Sequence, residues 1–294
     1  MSGVLAWVRL LRLWRAAFRP LSSQPAQVVL ESHSFPRKIP HVAGKADETV
    51  LVTGAAGRIG RAAVAGLRAA GWRVRGFDRY LSPGATESVI GDLTDASALE
   101  TAARDTSAVI HLGATPDDDL FVEQLVPNNL IGLHHVLEAA RLAGVRRVFL
   151  ASTGQVHWWQ QREGPWPVRP ADGFTPRHWY AVTKVAAEAA GQTYAKNFGM
   201  CVLALRLGWC PRTRAQVAEI AASERGQDTY LSPGDVGRFF ATALAAELEP
   251  GFHVVFVASR PRRKVIFDLE PTRRLLGWEP RDQWPEGAEA DVRD

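Results

Sequence analysis

Tyr180-Ala181-Val182-Thr183-Lys184 sets a phenol and an ammonium four residues apart. On a helix, positions i and i+4 share a face about 6 Å apart along the axis. A free phenol has a pKa near 10, so only about 0.1% of it is ionised at pH 7. A neighbouring cation favours the phenolate, and lowering the pKa by about three units takes roughly 4 kcal/mol. Such a phenol can take a proton from an alcohol. Upstream, Leu150-Ala151-Ser152-Thr153 closes a β-branched run. A hydroxyl at that strand end can hold the oxygen that the tyrosine deprotonates, because open α/β sheets bind ligands at the carboxyl edge of their strands.

A third group of residues says what else binds there. Thr53-Gly54-Ala55-Ala56-Gly57-Arg58-Ile59-Gly60 joins a first strand to a first helix. Glycines let backbone approach a pyrophosphate, and the helix N-terminus offers free N–H groups and a positive dipole end. Asp78 ends the second strand, 18 residues after Gly60. A carboxylate there accepts both hydroxyls of an adenosine ribose and repels a 2′-phosphate, which predicts NAD over NADP. Gly91-Asp92-Leu93 follows a third strand. Asp92 either accepts from the adenine amine or caps the helix that starts near Ala96. A dinucleotide loop, a strand-end hydroxyl and a Tyr/Lys turn converge on hydride transfer between an alcohol and a nicotinamide.

The elements that must position these groups alternate strand and helix. Val50–Thr53, Trp72–Phe77, Ala108–Leu112, Val148–Ser152, Val202–Leu207 and Val254–Val257 read as strands. Helical patterns fill 58–70, 119–143 and 179–198, the middle one with Leu130, Leu133, Leu137 and Ala140 as its core stripe and Gly144 as its stop. This alternation predicts βαβ units and a doubly wound parallel sheet.

Of 294 residues, 46% are hydrophobic and 22% charged, an ordinary globular balance. Cys201 and Cys210 are the two cysteines, too few for a disulfide framework, and no spacing of His, Cys, Asp and Glu suggests a metal site. Residues 1–47 hold seven basic residues against Glu31 and Asp47, leaving 28 basic against 29 acidic in the rest. The basic excess therefore belongs to a leader, and nucleic acid is excluded as a partner of the neutral remainder. Arg9, Arg12, Arg15 and Arg19 share one helical face opposite Trp7, Leu10, Leu11, Trp14 and Phe18. The leader, 1–44, reads either as a bland extension or as a targeting or membrane-surface segment, so the expected location is cytoplasmic, or the mitochondrial matrix if the leader is a transit peptide. The domain is expected over 45–294, with no apolar stretch long enough to span a bilayer.

Over residues 48–285 the chain resembles the extended short-chain dehydrogenases/reductases, the NAD-dependent epimerase/dehydratase superfamily. The matching pieces are Gly54-x-x-Gly57-x-x-Gly60, Asp78, Gly91-Asp92-Leu93, His111-Leu112-Gly113-Ala114, Asn129-Leu130-Ile131-Gly132, Ala151-Ser152-Thr153, Tyr180-x-x-x-Lys184, Leu205-Arg206-Leu207-Gly208 and Leu276-Gly277-Trp278-Glu279-Pro280. The resemblance implies a Rossmann-type sheet with a small C-terminal substrate-binding portion, substrate segments mainly in 154–180 and 209–290, and NAD as cofactor. It implies Thr153, Tyr180 and Lys184 as catalytic residues. It implies Gly54, Gly57, Arg58, Ile59, Gly60, Asp78, Asp92, Leu93, Leu112, Gly113, Ala114 and Asn129, with Tyr180 and Lys184, around the cofactor. Homodimerisation through paired helices of the Tyr180 region is a further implication.

Within that superfamily the chain is most similar to uronate dehydrogenases, which oxidise the anomeric carbon of a hexuronate to a lactone. Tyr230-Leu231-Ser232-Pro233-Gly234-Asp235 matches them, and Arg225 corresponds to the arginine that clamps the sugar carboxylate, the alternative being a solvated loop charge. Thr115, Gly154, Gln155 and Arg225 are the implied substrate contacts. Gly154-Gln155 stands where those enzymes carry Asn-His, and Pro116 where they carry a serine. Trp158, Trp159, Trp166 and Trp179 read either as packing under an insertion or as a platform for a sugar ring, and His157 as a pocket wall. The expected function is NAD-dependent oxidation of a small polyhydroxy substrate, a hexuronate first. A sugar epimerase, dehydratase or carbonyl reductase is the rival within the class, and a non-catalytic NAD sensor the rival outside it.

Overall fold

The computed structural model describes residues 48–290 and Val292. The leader, with the readings of location attached to it, lies outside the described residues. Seven parallel strands form one sheet: β1 (Thr49–Thr53), β2 (Arg73–Asp78), β3 (Glu87–Ile90), β4 (Thr106–His111), β5 (Arg147–Thr153), β6 (Cys201–Leu207) and β7 (Gly251–Val257). Their order is β3-β2-β1-β4-β5-β6-β7. The chain winds outward from β1 to β3, then returns to β4 and winds the other way. Thr53 at the end of β1 pairs with Phe77 on one side and His111 on the other, so a crevice opens where the winding reverses.

Every residue of β5 and β6 is buried, as central parallel strands covered on both faces must be. The helices are α1 (Arg58–Ala69), α2 (Ala96–Ala103), α3 (Gly132–Leu142), α4 (Gln160–Glu163), α5 (Trp179–Phe198), α6 (Arg214–Ala221), α7 (Glu224–Asp228), α8 (Pro233–Ala245) and α9 (Glu270–Leu276). On one face α1 and α8 lay Val64, Leu67, Phe239 and Phe240 over Val50, Val52 and Ile110. On the other, α2, α3 and α5 lay Leu99, Val136, Leu137, Ala187 and Tyr194 over Leu51, Val109 and Val148. Among the described residues no helix is long and apolar enough to cross a membrane.

Two local expectations are corrected. The helix read over 119–143 is two things: Phe121–Ile131 winds as a π-helix, and α3 follows. Pro127 has no N–H to donate, so the hydrogen-bond ladder loosens there, and the Gly132 N–H reaches back to the Pro127 carbonyl. The aspartate that caps the helix at Ala96 is Asp95, whose carboxylate accepts from the Ala98 N–H at 3.0 Å. Asp92 does not cap it.

The expected substrate portion also does scaffold work. From it, α8 and β7 complete one face and one edge of the sheet. The crossing of α1 on α8 is close because Gly66 meets Gly237 backbone to backbone, so a Cβ on Gly66 would overlap the Gly237 main chain. Gly66→Ala is therefore expected to force the helices apart and cost about 1–3 kcal/mol. A urea titration checks this, and an unchanged midpoint would count against the contact.

Candidate active site

The turn from β1 to α1 is shaped as a cradle. Gly54 has φ +69, and a Cβ there would lie 2.5 Å from Gly113 N and 2.7 Å from Gly113 Cα. A Cβ on Gly60 would strike the Gly54 carbonyl. Gly57 is the residue before the helix, no side chain caps it, and the first turn holds no acidic residue. The N-terminal N–H groups of α1 are thus left for an anion. Asp78 sits at the end of β2, with Oδ2 accepting from Ala56 N–H at 3.0 Å and Oδ1 from Tyr80 N–H at 3.2 Å. These groups line a cavity of about 480 Å³ together with Ile59, Asp92, Leu93, Leu112, Gly113 and Ala114. The residue set fits NAD: a side-chain-free loop and open helix terminus for the phosphates, and a carboxylate at the strand end for the ribose.

Three residues expected at the cofactor or substrate bond to the protein itself, although Arg58 and Thr115 do line this cavity. The Arg58 side chain is buried and committed, with Nε on the Pro211 carbonyl at 3.2 Å and its terminal nitrogens on the carbonyls of Gly287 (3.1 Å), Ala288 (3.4 Å) and Ala290. It braces the loop from behind. Asn129 lines neither this cavity nor the next. Its Oδ1 accepts from Thr115 N–H at 2.8 Å, and its Nδ2 donates to the Thr115 carbonyl and the Thr183 hydroxyl, each at 3.1 Å. It ties the loop after β4 to the helix of Tyr180. Thr115 faces the glycine-loop cavity, not the substrate side, and its hydroxyl donates to the Gln124 carbonyl at 3.1 Å and accepts from Asn128 Nδ2 at 2.7 Å. Asn128 lines that cavity beside it, and no sequence signal separated it from Asn129.

A second cavity, of about 370 Å³, shares Ile59, Leu112, Ala114, Pro116 and Arg212 with the first. It holds Thr153, Tyr180 and Lys184 together. Thr153 comes from the end of β5. Tyr180 and Lys184 come from the first turns of α5, which His178 caps and whose Tyr180 N–H donates to Asp118 Oδ1 at 3.3 Å. The Thr153 hydroxyl lies close enough to the Tyr180 hydroxyl to favour the phenolate. Lys184 Nζ donates to the Ala151 carbonyl at 2.9 Å and lies 5.8 Å from the centre of the Tyr180 ring.

The electrostatics add burial and a carboxylate to the expected cations. Burial of its oxygen raises the Tyr180 phenol above the ordinary value, although the ring is only half-buried. The Asp117 carboxylate raises it further, and Arg212 and the Thr153 hydroxyl oppose this. Burial, with Asp117, thus keeps the phenol protonated. Lys184 itself is pushed down to about 8 by burial. His111, behind it, is pushed down to about 3 by burial and then by the Lys184 charge, and shares a 2.7 Å hydrogen bond with the Thr53 hydroxyl.

Beside Thr153 and Lys184 lies a buried ion pair. Glu188, one turn beyond Lys184, accepts from Arg206 Nε at 2.9 Å and from a terminal Arg206 nitrogen at 2.8 Å, and also from the Ser152 hydroxyl at 2.6 Å. Arg206 also donates to the Pro170 carbonyl at 2.9 Å and to His157 Nε2 at 2.8 Å. His157 is accordingly a buried structural residue, not a pocket wall. Burial and then Arg206 push it down to about 4, so it stays neutral and accepts.

The cavity also gathers arginines. Gly154 and Gln155 line it as expected, and so does Arg225, lowered by burial and partly restored by Glu219. Among the described residues the Arg225 guanidinium has no hydrogen-bond or ion-pair partner; it lies 5.8 Å from the Trp158 ring centre. Of the four tryptophans, only Trp158 lines this cavity; Trp179 packs on Phe121 and Trp166 under Lys264. Asp117, in a left-handed conformation with φ +61, pairs with Arg212 and accepts from Gln216 at 3.2 Å. Trp158 thus sits where a sugar-ring platform would, whereas Asp117, Arg162 and Arg212 carry no sequence signal as site residues. Asp117 and Arg212 stand 95 positions apart, and only folding shows that they meet.

Compared with known proteins, residues 50–209 match the model of the NAD dependent epimerase/dehydratase family. The chain is 33% identical over 250 residues to L-arabinose 1-dehydrogenase (NAD(P)(+)) of Haloferax volcanii, covering 79% of this chain and 96% of that one. It is 29% identical over 255 residues to NAD-dependent glucose-6-phosphate dehydrogenase of the same organism, covering 80% and 94%. Among solved structures it resembles a mutant of uronate dehydrogenase from Agrobacterium tumefaciens complexed with NAD, with a TM-score of 0.67, 28% identity and coverage of 83% and 86%.

The burial of Lys184 has a measurable consequence. Its charged form is disfavoured in the folded state, so the unfolded chain binds the proton more tightly and stability rises with pH between about 8 and the ordinary lysine value of 10.5. Lys184→Met is expected to stabilise the fold at pH 7 by at most about 3 kcal/mol, less the lost hydrogen bond to Ala151, with the gain fading as pH climbs through that window. Thermal melts of both proteins from pH 7 to 10 check this. A variant equally destabilised at every pH would refute it.

Proposed function

This chain belongs to the NAD-dependent epimerase/dehydratase family of extended short-chain dehydrogenases/reductases, and from that premise we propose that it is an NAD-dependent dehydrogenase oxidising the anomeric hydroxyl of a small sugar that carries a carboxylate, a hexuronate. The observation that carries this reading is one cavity. It joins Thr153, Tyr180 and Lys184 to an Arg225 guanidinium without a partner among the described residues, beside a glycine cradle.

In this reading Gly54, Gly57, Gly60 and the N–H groups of Arg58 and Ile59 hold the pyrophosphate, and Asp78 accepts the ribose hydroxyls. Bound NAD supplies the hydride acceptor and a positive ring charge. Thr153 holds the sugar oxygen; once the field at the phenol has turned positive, Tyr180 releases its own proton to water, and the phenolate then takes the proton of the sugar hydroxyl. Lys184 holds the nicotinamide ribose and adds to that field. Arg225 meets the carboxylate as a bidentate donor. Asn129 acts through Thr115 and Thr183 as a positioning residue. The names of three relatives support a sugar without a nucleotide: L-arabinose, glucose 6-phosphate and uronate.

NADH formation with glucuronate and galacturonate, set against arabinose and glucose, tests the substrate. Net NADH accumulation with a sugar acid is expected, whereas an epimerase would return its hydride. Tyr180→Phe is expected to lose about 10²–10⁴-fold in turnover while NAD still binds by calorimetry. Turnover retained in that variant would overturn the mechanism.

A further inference from the structure

Trp158 carries more than one cation. The Arg162 guanidinium lies 3.4 Å from its ring centre, and one terminal nitrogen donates to the Trp158 carbonyl at 2.9 Å. Arg225 lies 5.8 Å from the same ring centre and Arg177 at 5.2 Å. Arg162 and Arg225 both line the substrate cavity. A guanidinium stacked face-on against an indole keeps its in-plane N–H groups directed outward, where they can form a fork for an anion.

The charges around this ring do not balance internally. Arg162 is pushed down to about 10 by burial and then by its neighbours Arg225 and Arg177. Asp117 is engaged by Arg212, which leaves Glu219 as the other carboxylate lining the cavity. Cations held this close without matching carboxylates cost energy until an anion arrives.

We propose that Arg162 is a second anion-holding residue: with Arg225 it clamps the terminal anionic group of the sugar across Trp158, and so selects charged sugars over neutral ones. The proposal rests on the sugar dehydrogenase reading above. The anion is a carboxylate in a sugar acid or a phosphate ester in a sugar phosphate. Both offer two or more oxygens to a pair of guanidinium forks, and a dianionic phosphate would neutralise both cations.

The test is Arg162→Gln, compared with the wild-type enzyme on galacturonate, glucose 6-phosphate and arabinose. KM for the anionic substrate is expected to rise about 10- to 100-fold with little change in kcat. The kinetics on arabinose are expected to stay unchanged, and Arg162→Lys to recover part of the loss. Whichever anionic sugar loses affinity identifies the source of the charge. Equal losses on charged and neutral sugars, or no loss on either anion, would overturn the proposal. If wild type turns over none of the three, the dehydrogenase reading fails separately. Calorimetric binding of glucuronate and inorganic phosphate to the NAD-loaded wild type and Arg162→Gln then decides for Arg162: weaker anion binding in the variant supports the clamp, and equal or absent binding refutes it.

Discussion

Arg206 and Glu188 meet where β6, α5 and the end of β5 converge, with both side chains almost wholly withdrawn from water at 3% and 4% exposure. Removing one partner from such a pair typically costs about 3–5 kcal/mol, because the other charge is left buried alone. Here further hydrogen bonds hold both partners. Ser152 holds Glu188, and Arg206 reaches the Pro170 carbonyl and His157. The pair therefore fixes three things at once: Ser152 and hence Thr153 at the strand end, Lys184 one turn away on the helix, and the 154–175 segment that carries Trp158 and Arg162. A hydrophobic substitute could fill the volume, but it could not orient three chain segments relative to one another.

Above that fixed base the active-site charges are arranged for change. Burial and Asp117 hold the Tyr180 phenol protonated, and burial leaves Lys184 closer to neutrality than an exposed lysine. A phenol raised by its surroundings responds strongly when a positive ring is placed beside it, since the low dielectric that penalises the phenolate also strengthens each charge near it. The same cavity also brings arginines together on one indole. Binding of an anion there would relieve a cost already present in the fold.

The sheet was legible because parallel strands buried on both faces read as unbroken apolar runs. All six runs appear as strands within three residues of the expected ends. The glycine turn, Asp78 and the Tyr180/Lys184 spacing were legible for a similar reason: their geometry is local. What sequence could not settle was which partner a polar side chain takes. Arg58, Asn129 and Thr115 stand in the right motifs, yet their polar atoms bond to the protein, and His157 points into the core. Arg225 was weighed evenly against a solvated loop charge, because only the fold brings it to Trp158. The raised Tyr180 phenol is not legible in sequence, because burial of its oxygen and the charge of Asp117, 63 positions earlier, both lie outside an argument from one helix face.

The brace behind the phosphate cradle joins distant parts of the chain. Arg58 opens the first helix, and its guanidinium is satisfied by carbonyls at 287, 288 and 290. During vectorial synthesis on the ribosome, the early strands and helices can collapse well before those carbonyls exist. Until then the Pro211 carbonyl is the acceptor within reach of Arg58. The back of the phosphate turn is therefore braced in full only when the last stretch of the described chain has docked against the first helix.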